Sequence, residues 1–399
     1  MTLFSSVELA PRDPILGLNE AFGADSRADK VNLGVGVYYD DNGHVPLLRA
    51  VRQAEEARLK AQLPRGYLPI DGIALYDLAV QQLLFGASSP LIAERRVVTA
   101  QALGGTGALR VGADFLYRLN PGVPVAISDP SWENHRALFE AAGFEVVQYP
   151  YYDASTHGVN VDGMISGLEA LPAGSVVVLH ACCHNPTGVD LTDADWKRVI
   201  ATVKARSLTP FLDIAYQGFG DGIDADASAV RLFAESGLPF FVASSFSKSF
   251  SLYGERVGAL SIVTASHDEA VRVQSQVKRV IRTNYSNPPT HGAAVVSAVL
   301  NHAELRSTWE AELGEMRERI RAMRRGLVER LAVHHAQGDY SFIEAQRGMF
   351  SYSGLTATQV ERLRSEFGIY AVSTGRICVA ALNHGNLDRV AEAIAQVSR

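Results

Sequence analysis

Lys248 stands in SSFSKSFSLYGERVG (residues 244–258), directly after the apolar run LPFFVASSFS (238–247) and eight positions before Arg256. A lysine tail ordinarily lies in water. This one follows a run that reads as a buried parallel strand, and the ends of such strands are where α/β proteins place their chemistry. An amine held there can attack a carbonyl and afterwards act as a base. Asp213 and Tyr216 occupy a second strand end, in FLDIAYQGF (211–219). A buried carboxylate is costly unless a cation or hydrogen-bond donor meets it. A protonated ring nitrogen would serve, as would a helix to cap or a structural histidine. In QALGGTGALRVGADFLYRL (101–119) a glycine turn runs into an apolar-periodic helix. There Gly104, Gly105 and Gly107 allow close backbone approach, Thr106 adds a hydroxyl, and the free N–H groups of a helix start attract an anion such as a phosphate.

Two further stretches leave strands in the same way. DPSWENH (129–135) presents Trp132 and His135, and LHACCHNPTG (179–188) presents Asn185 in a turn, either to cap the next helix or to enter a cleft. The second stretch also carries His180, Cys182, Cys183 and His184. Neighbours on a strand point to opposite faces, and zinc sites favour C-x₂₋₄-C spacing, so no metal is expected. A dinucleotide fingerprint fails twice: Arg110 stands where the third glycine should follow Gly105, and Tyr39 where it should follow Gly34. No G-x-x-x-x-G-K-[ST] occurs. Taken together, these residues supply an anion cradle, an acid for a ring nitrogen, donors for a ring oxygen, an aromatic plate and an amine. Pyridoxal 5′-phosphate requires that set, with Lys248 as its Schiff-base partner.

The elements that must hold these residues follow α/β grammar. Strand candidates at 123–129, 144–151, 175–182, 209–216 and 239–246 alternate with helix-period segments, and VGALSIVT (257–264) adds another. They predict a mainly parallel sheet with both faces covered. Residues 291–336 predict a long charge-rich helix or helix pair whose charges form a solvated face. After Gly338, strand-like pieces (SFIEA, GMFSYSG, ICVAAL) and the helical TATQVERLRSEFG suggest a smaller α+β domain, which VNLGVGVYYD (31–40) is expected to join as a strand. The expected division is a large domain over 46–315 and a small one from 1–45 with 316–399.

Composition narrows the partners. The chain has 399 residues, 47% hydrophobic and 20% charged, with a formal net charge of −6. Without a basic excess, nucleic acid and anionic membranes have no electrostatic support, and small molecules become the expected partners. No leader-like segment or membrane-spanning run is visible, and three cysteines, two of them adjacent, suit a reducing compartment, so a cytoplasmic protein is expected.

Over nearly its whole length the chain resembles the fold-type I pyridoxal phosphate aminotransferases, in particular the aspartate and aromatic-amino-acid group. The likeness is carried in order by APRDPILGL, VNLGVGVYY, RGYLPIDGI, GGTGALRVGADFL, DPSWENH, HACCHNPTG, FLDIAYQGF, SFSKSFSLYGERVG, IRTNYSNPP, RGMFSYSGL and YAVSTGRICVA. The resemblance implies that Lys248 binds the cofactor and shuttles a proton. Asp213, backed by His135, would pair with the ring nitrogen; Asn185 and Tyr216 would meet the ring oxygen; Trp132 would stack on the ring. Gly105, Thr106, Ser245 and Arg256 would hold the phosphate, joined by Tyr67 from the second subunit of a homodimer. Arg376, with Asn185 and the Gly36 backbone, would grip the substrate α-carboxylate, and Arg282 from the second subunit would meet a distal carboxylate. Taken singly, Arg376 reads as a surface ion pair, Arg282 as a helix C-terminal cation and Tyr67 as a packed aromatic. GGTG, SFSKSFSLYGERVG and RGMFSYSGL resemble the aromatic branch. The expectation is therefore transfer from tyrosine or phenylalanine, and also aspartate, to 2-oxoglutarate, with an aspartate aminotransferase as the alternative. A regulatory binding module and a nicotinamide dehydrogenase are the rivals of other classes.

Overall fold

Seven strands build the sheet on which the site stands: β1 Val97–Leu103, β2 Val125–Asp129, β3 Val146–Pro150, β4 Val176–His180, β5 Thr209–Ile214, β6 Phe240–Ser245 and β7 Val257–Val263. Their spatial order is β1-β7-β6-β5-β4-β2-β3. All run parallel except β7, which is antiparallel to both β1 and β6. The computed structural model describes residues 2–10 and 15–399, so the part of APRDPILGL at 11–14 lies outside the described residues.

Side chains alternate across each strand, and both faces are apolar because both are covered. Val176, Val178, Phe211 and Phe241 enter one core cluster, whereas Val177, Leu179, Leu212 and Val242 enter the other. Helix α1 (Gly104–Leu119) crosses the first face, with α2 (Glu133–Ala142) and α3 (His267–Asn284) contributing beside it. Gly112 of α1 lies so close to Phe211 that a Cβ there would come within 2.5 Å of the ring. That approach leaves Phe211 with no exposed surface, a burial that contributes about 1.5–3 kcal/mol.

The charge-rich region divides into a helix at His291–Asn301 and the long α4 (Ala303–Val333), whose continuous run passes through residue 315. The C-terminal pieces form a strand pair, Phe350–Tyr352 with Arg376–Cys378, and a helix at Ala357–Phe367. That helix starts with a Thr356–Gln359 capping box and stops at Gly368, whose left-handed φ suits glycine. Three sequence expectations differ. SFIEA contains a short helix, Phe342–Ala345, in place of a strand, because Asp339 accepts the Ser341 N–H at 2.8 Å and turns the chain before a ladder can form. β1 lies where the sequence reading places no strand; its apolar residues form an edge strand running directly into the glycine turn. Of VNLGVGVYYD only Val31–Asn32 is laddered, parallel to Ile369–Tyr370. Beyond it some backbone groups turn to side chains: Gly34 O accepts from Arg376 and the Tyr38 N–H donates to Tyr253 Oη. No helix among the described residues is long and apolar enough to cross a membrane.

Candidate active site

The C-terminal ends of β4, β5 and β6, with the start of α1 after β1, surround a cavity of about 610 Å³. Every site residue expected from sequence lines it except His135, Tyr67 and Arg282. Lys248 lies three residues beyond β6, where strand geometry has ended, and its Nζ sits 5.1 Å from the centre of the Tyr216 ring. Its pKa is lowered to about 8, chiefly by withdrawal from water, with the carboxylate of Asp213 opposing the shift and Arg256 and Arg376 adding to it.

Asp213 is the fifth residue of β5 and pairs in register with His180 on β4. His135, from the first turn of α2, reaches it through Nε2 at 2.9 Å, while its Nδ1 is held by Ser131 Oγ at 2.9 Å. Burial alone would raise the Asp213 carboxyl, but the His135 hydrogen bond and neighbouring positive charge outweigh it and hold the group below its ordinary value. Asp213 is therefore anionic at neutral pH, with His135 fixing one oxygen. Trp132 covers this corner, its ring edge-on to His135 at 5.2 Å.

Asn185 and Tyr216 meet across the cavity, Nδ2 to Oη at 3.5 Å. The Asn185 oxygen accepts from Arg376 Nη1 at 3.1 Å, and Arg376 Nη2 donates to Gly34 O at 2.6 Å. Arg376 is 1% exposed, packs 4.4 Å from the Phe350 ring centre, and keeps its Nε without a partner. No carboxylate among the described residues pairs with it. A buried guanidinium in that condition is an open seat for an anion. Gly36 lies against the same phenylalanine ring, where a Cβ would meet it at 2.6 Å.

On the opposite side α1 begins at Gly104 with no side-chain cap; the Gly104 N–H donates to Arg256 O at 3.0 Å, and the N–H groups that follow it in the first turn are left for a ligand. A Cβ on Gly104 would come within 2.5 Å of Arg256 Nη2, and one on Gly105 within 3.1 Å of Ser245 Cβ. Arg256 is anchored by donating to Ser247 Oγ at 3.1 Å and Tyr253 O at 2.9 Å. The glycines, Thr106, Ser245 and Arg256 thus form a compact anion cradle.

Tyr67, 96% exposed, and Arg282, exposed in the last turn of α3 beside Ser286, stand outside this cavity. Several lining residues fall outside the sequence expectations, among them Glu133, Ser247, Tyr253 and Phe350. His180, which in sequence reads only as a metal ligand, lines the cavity with both ring nitrogens unpartnered, and burial with the nearby His135 drives its pKa to about 3. The four ligand-type residues of HACCH do not converge. His184 bonds Ser128 and Thr187 at 2.9 and 2.8 Å, Cys182 and Cys183 gather with Asp226, and His180 gathers with His135 and Asp213. Asp226 is already taken by the N–H groups of Gly218, Gly220 and Asp221.

Comparison with known proteins agrees with this geometry. An aspartate aminotransferase of Pseudomonas aeruginosa is 72% identical over 397 residues, covering 100% of both chains. An aromatic-amino-acid aminotransferase of Escherichia coli is 54% identical over 398 residues, covering 99% of this chain and 100% of its own. Among solved structures, an aromatic-amino-acid aminotransferase of Burkholderia pseudomallei, covalently bound to pyridoxal phosphate, superimposes with a TM-score of 0.98 at 73% identity over 100% of both chains. The expected fold-type I architecture is thus the one this chain adopts. With the profile of the class I and II aminotransferases matching residues 28–394 as well, the chain belongs to that family and is an aminotransferase of its aspartate and aromatic type.

Proposed function

We propose that this chain is a pyridoxal 5′-phosphate-dependent aromatic-amino-acid aminotransferase, moving the amino group of tyrosine or phenylalanine, and also of aspartate, to 2-oxoglutarate. The observation that carries the reading is the convergence of three groups on one cavity: a lysine amine of lowered pKa, a carboxylate kept anionic by a histidine, and a buried guanidinium without a counter-ion. The same cavity fits the cofactor chemically, because its glycine cradle and uncapped helix start suit a phosphate and Asp213 suits a protonated ring nitrogen. When bound, pyridoxal phosphate supplies an aldehyde and an electron-withdrawing ring that absorbs the charge left at the substrate Cα.

The chain's own residues account for the rest. Lys248 would hold the cofactor, and its free amine would take the substrate Cα proton as general base. Asp213, steadied by His135, keeps the ring nitrogen protonated. Asn185 and Tyr216 would meet the ring oxygen, Trp132 would cover the ring, and Gly105, Thr106, Ser245 and Arg256 would hold the phosphate. Arg376, oriented by Asn185 and Gly34, takes the α-carboxylate beside the Gly36 backbone. Tyr67 and Arg282 do not line the cavity of their own chain, which supports a homodimer in which a second copy brings Tyr67 to the phosphate and Arg282 to a distal carboxylate. Three buried free thiols fit a cytoplasmic setting.

The names of the similar proteins divide between aspartate and aromatic substrates, and the GGTG, SFSKSFSLYGERVG and RGMFSYSGL motifs favour the aromatic side. The test is a donor panel with 2-oxoglutarate on the purified holoenzyme, read by keto-acid product and by loss of the cofactor's visible band when donor is added. Tyrosine and phenylalanine are expected to match or exceed aspartate in kcat/KM. An aspartate advantage of orders of magnitude would establish the aspartate aminotransferase instead, and no turnover with any donor would reject both.

A further inference from the structure

Five charged side chains line the catalytic cavity: Glu133, Asp213, Lys248, Arg256 and Arg376. The last four are the proposed partners of a ring nitrogen, an aldehyde, a phosphate and an α-carboxylate. Glu133 is left without a role. It is the first residue of α2, beside Trp132, and makes no hydrogen bond or ion pair among the described residues. Its Oε2 is shut off from water and unpartnered, so the oxygen it can offer the cavity is Oε1.

An acid in the first turn of a helix is favoured by the helix dipole, and that would account for Glu133 if its carboxylate were fully hydrated. One of its oxygens is not. A carboxylate that loses water on one side and finds no donor in exchange is costly to hold, and the cost falls when a ligand supplies the donor. The charge that shares this corner is not a counter-ion: burial raises the pKa of the Tyr352 phenol, and the carboxylates of Asp129 and Glu133 raise it further. Asp129 accepts from Gln148 Nε2 at 3.3 Å, whereas Glu133 accepts from nothing. Trp132, Val35, Val37 and Phe350 give the same cavity apolar walls. Such walls suit a flat ring that ends in a single polar group.

We infer that Glu133 is a specificity-determining residue, whose carboxylate accepts a hydrogen bond from the phenol O–H of tyrosine and so favours tyrosine over phenylalanine. Hydrogen bonds to an ionised acceptor are among the strong ones, and phenylalanine leaves that acceptor unmet. The side chain of an ionised dicarboxylate cannot donate and is repelled by Glu133, so it depends on a cation such as Arg282 of a second copy. The inference rests on the aromatic substrate assignment above and adds to it the choice between two aromatic donors.

The test compares kcat/KM for tyrosine and phenylalanine in the wild-type holoenzyme and in E133A. Tyrosine should fall by about tenfold or more, while phenylalanine changes by less than about threefold and so doubles as the folding control. A second readout needs no turnover. 3-(4-Hydroxyphenyl)propionate and 3-phenylpropionate carry the ring and carboxylate without the amine, and the wild-type holoenzyme should bind the hydroxylated acid more tightly, a preference in Kd that E133A erases. Both donors falling together in E133A, an unmoved tyrosine-to-phenylalanine ratio, or no wild-type preference between the two acids overturns the inference and leaves the aromatic assignment standing. A loss confined to aspartate also overturns it, making Glu133 a counter-ion that orients Arg282 of the second copy. A wild-type enzyme that turns over neither aromatic donor rejects the assignment and this inference with it.

Discussion

Replacing Arg376 by lysine and Arg282 by alanine should separate the two ends of the substrate. Arg376 meets Asn185 Oδ1 and Gly34 O, contacts no carboxylate among the described residues, and leaves Nε free. Its charge is thus available to a ligand at little internal cost. Arg376→Lys keeps one positive charge near the site but loses the planar fork. The loss amounts to roughly one charge-assisted hydrogen bond, about 1.5–3 kcal/mol, or roughly ten- to a hundredfold in kcat/KM. Every donor carries an α-carboxylate, so tyrosine and aspartate should lose the same factor. Arg282 stands outside its own cavity. If a second copy brings it to the distal carboxylate, Arg282→Ala should weaken aspartate by a similar factor while changing tyrosine by less than about threefold. The assay is the half-reaction without keto acid, followed as a single turnover at the cofactor's visible band, with melting temperature as the folding control. An Arg376→Lys enzyme that spared either donor, or an Arg282→Ala enzyme that slowed tyrosine as much as aspartate, would refute the assignment of the two arginines.

Other consequences are more local. With its pKa lowered to about 8 from an ordinary 10.5, Lys248 in cofactor-free protein should be acylated by limiting reagent at pH 8 about a hundredfold faster than surface lysines, by the ratio of neutral fractions; peptide mass mapping reads the selectivity, and Lys248→Ala should remove both the label and turnover. His180 is held near 3 against an ordinary 6.5, so it takes up a proton on unfolding between those values and stability is lost as pH falls through that window. His180→Gln should flatten the slope, recovering about 2 kcal/mol at pH 5 relative to the wild-type trend, and parallel urea midpoints for the two proteins at pH 5–6.5 would exclude this. Gly112→Ala puts a methyl 2.5 Å from the Phe211 ring, which should cost about 1–3 kcal/mol; an unchanged melting temperature would show that the helix can shift.

Why the candidate site residues are legible in the sequence while their neighbours are not follows from how a parallel sheet collects side chains. In a parallel sheet the chain leaves successive strands on the same side, so residues 180, 213 and 245, far apart in sequence, arrive at one edge as soon as their strands are recognised. Each of those strands is a buried apolar run, readable without its partners. Lys248 and Asp213 can therefore be placed before any contact is known, whereas His135 joins Asp213 in the sequence reading only through the family resemblance, and the structure supplies the bond. The Gly34–Arg376–Asn185 chain is different, because its links span 342 and 191 positions and depend on where the C-terminal strand pair docks. A local pattern holds no trace of that docking, and the same blindness lets VNLGVGVYYD read as one long strand although Gly34 O is claimed by an arginine. His180 carries no usable signal: in sequence it is one of four ligand-type residues in a stretch whose spacing argues against a metal, and register puts it directly beside Asp213, where its neutral ring borders the carboxylate without hydrogen-bonding to it. Register, which sequence periodicity fixes only within a strand, is the missing quantity in both cases.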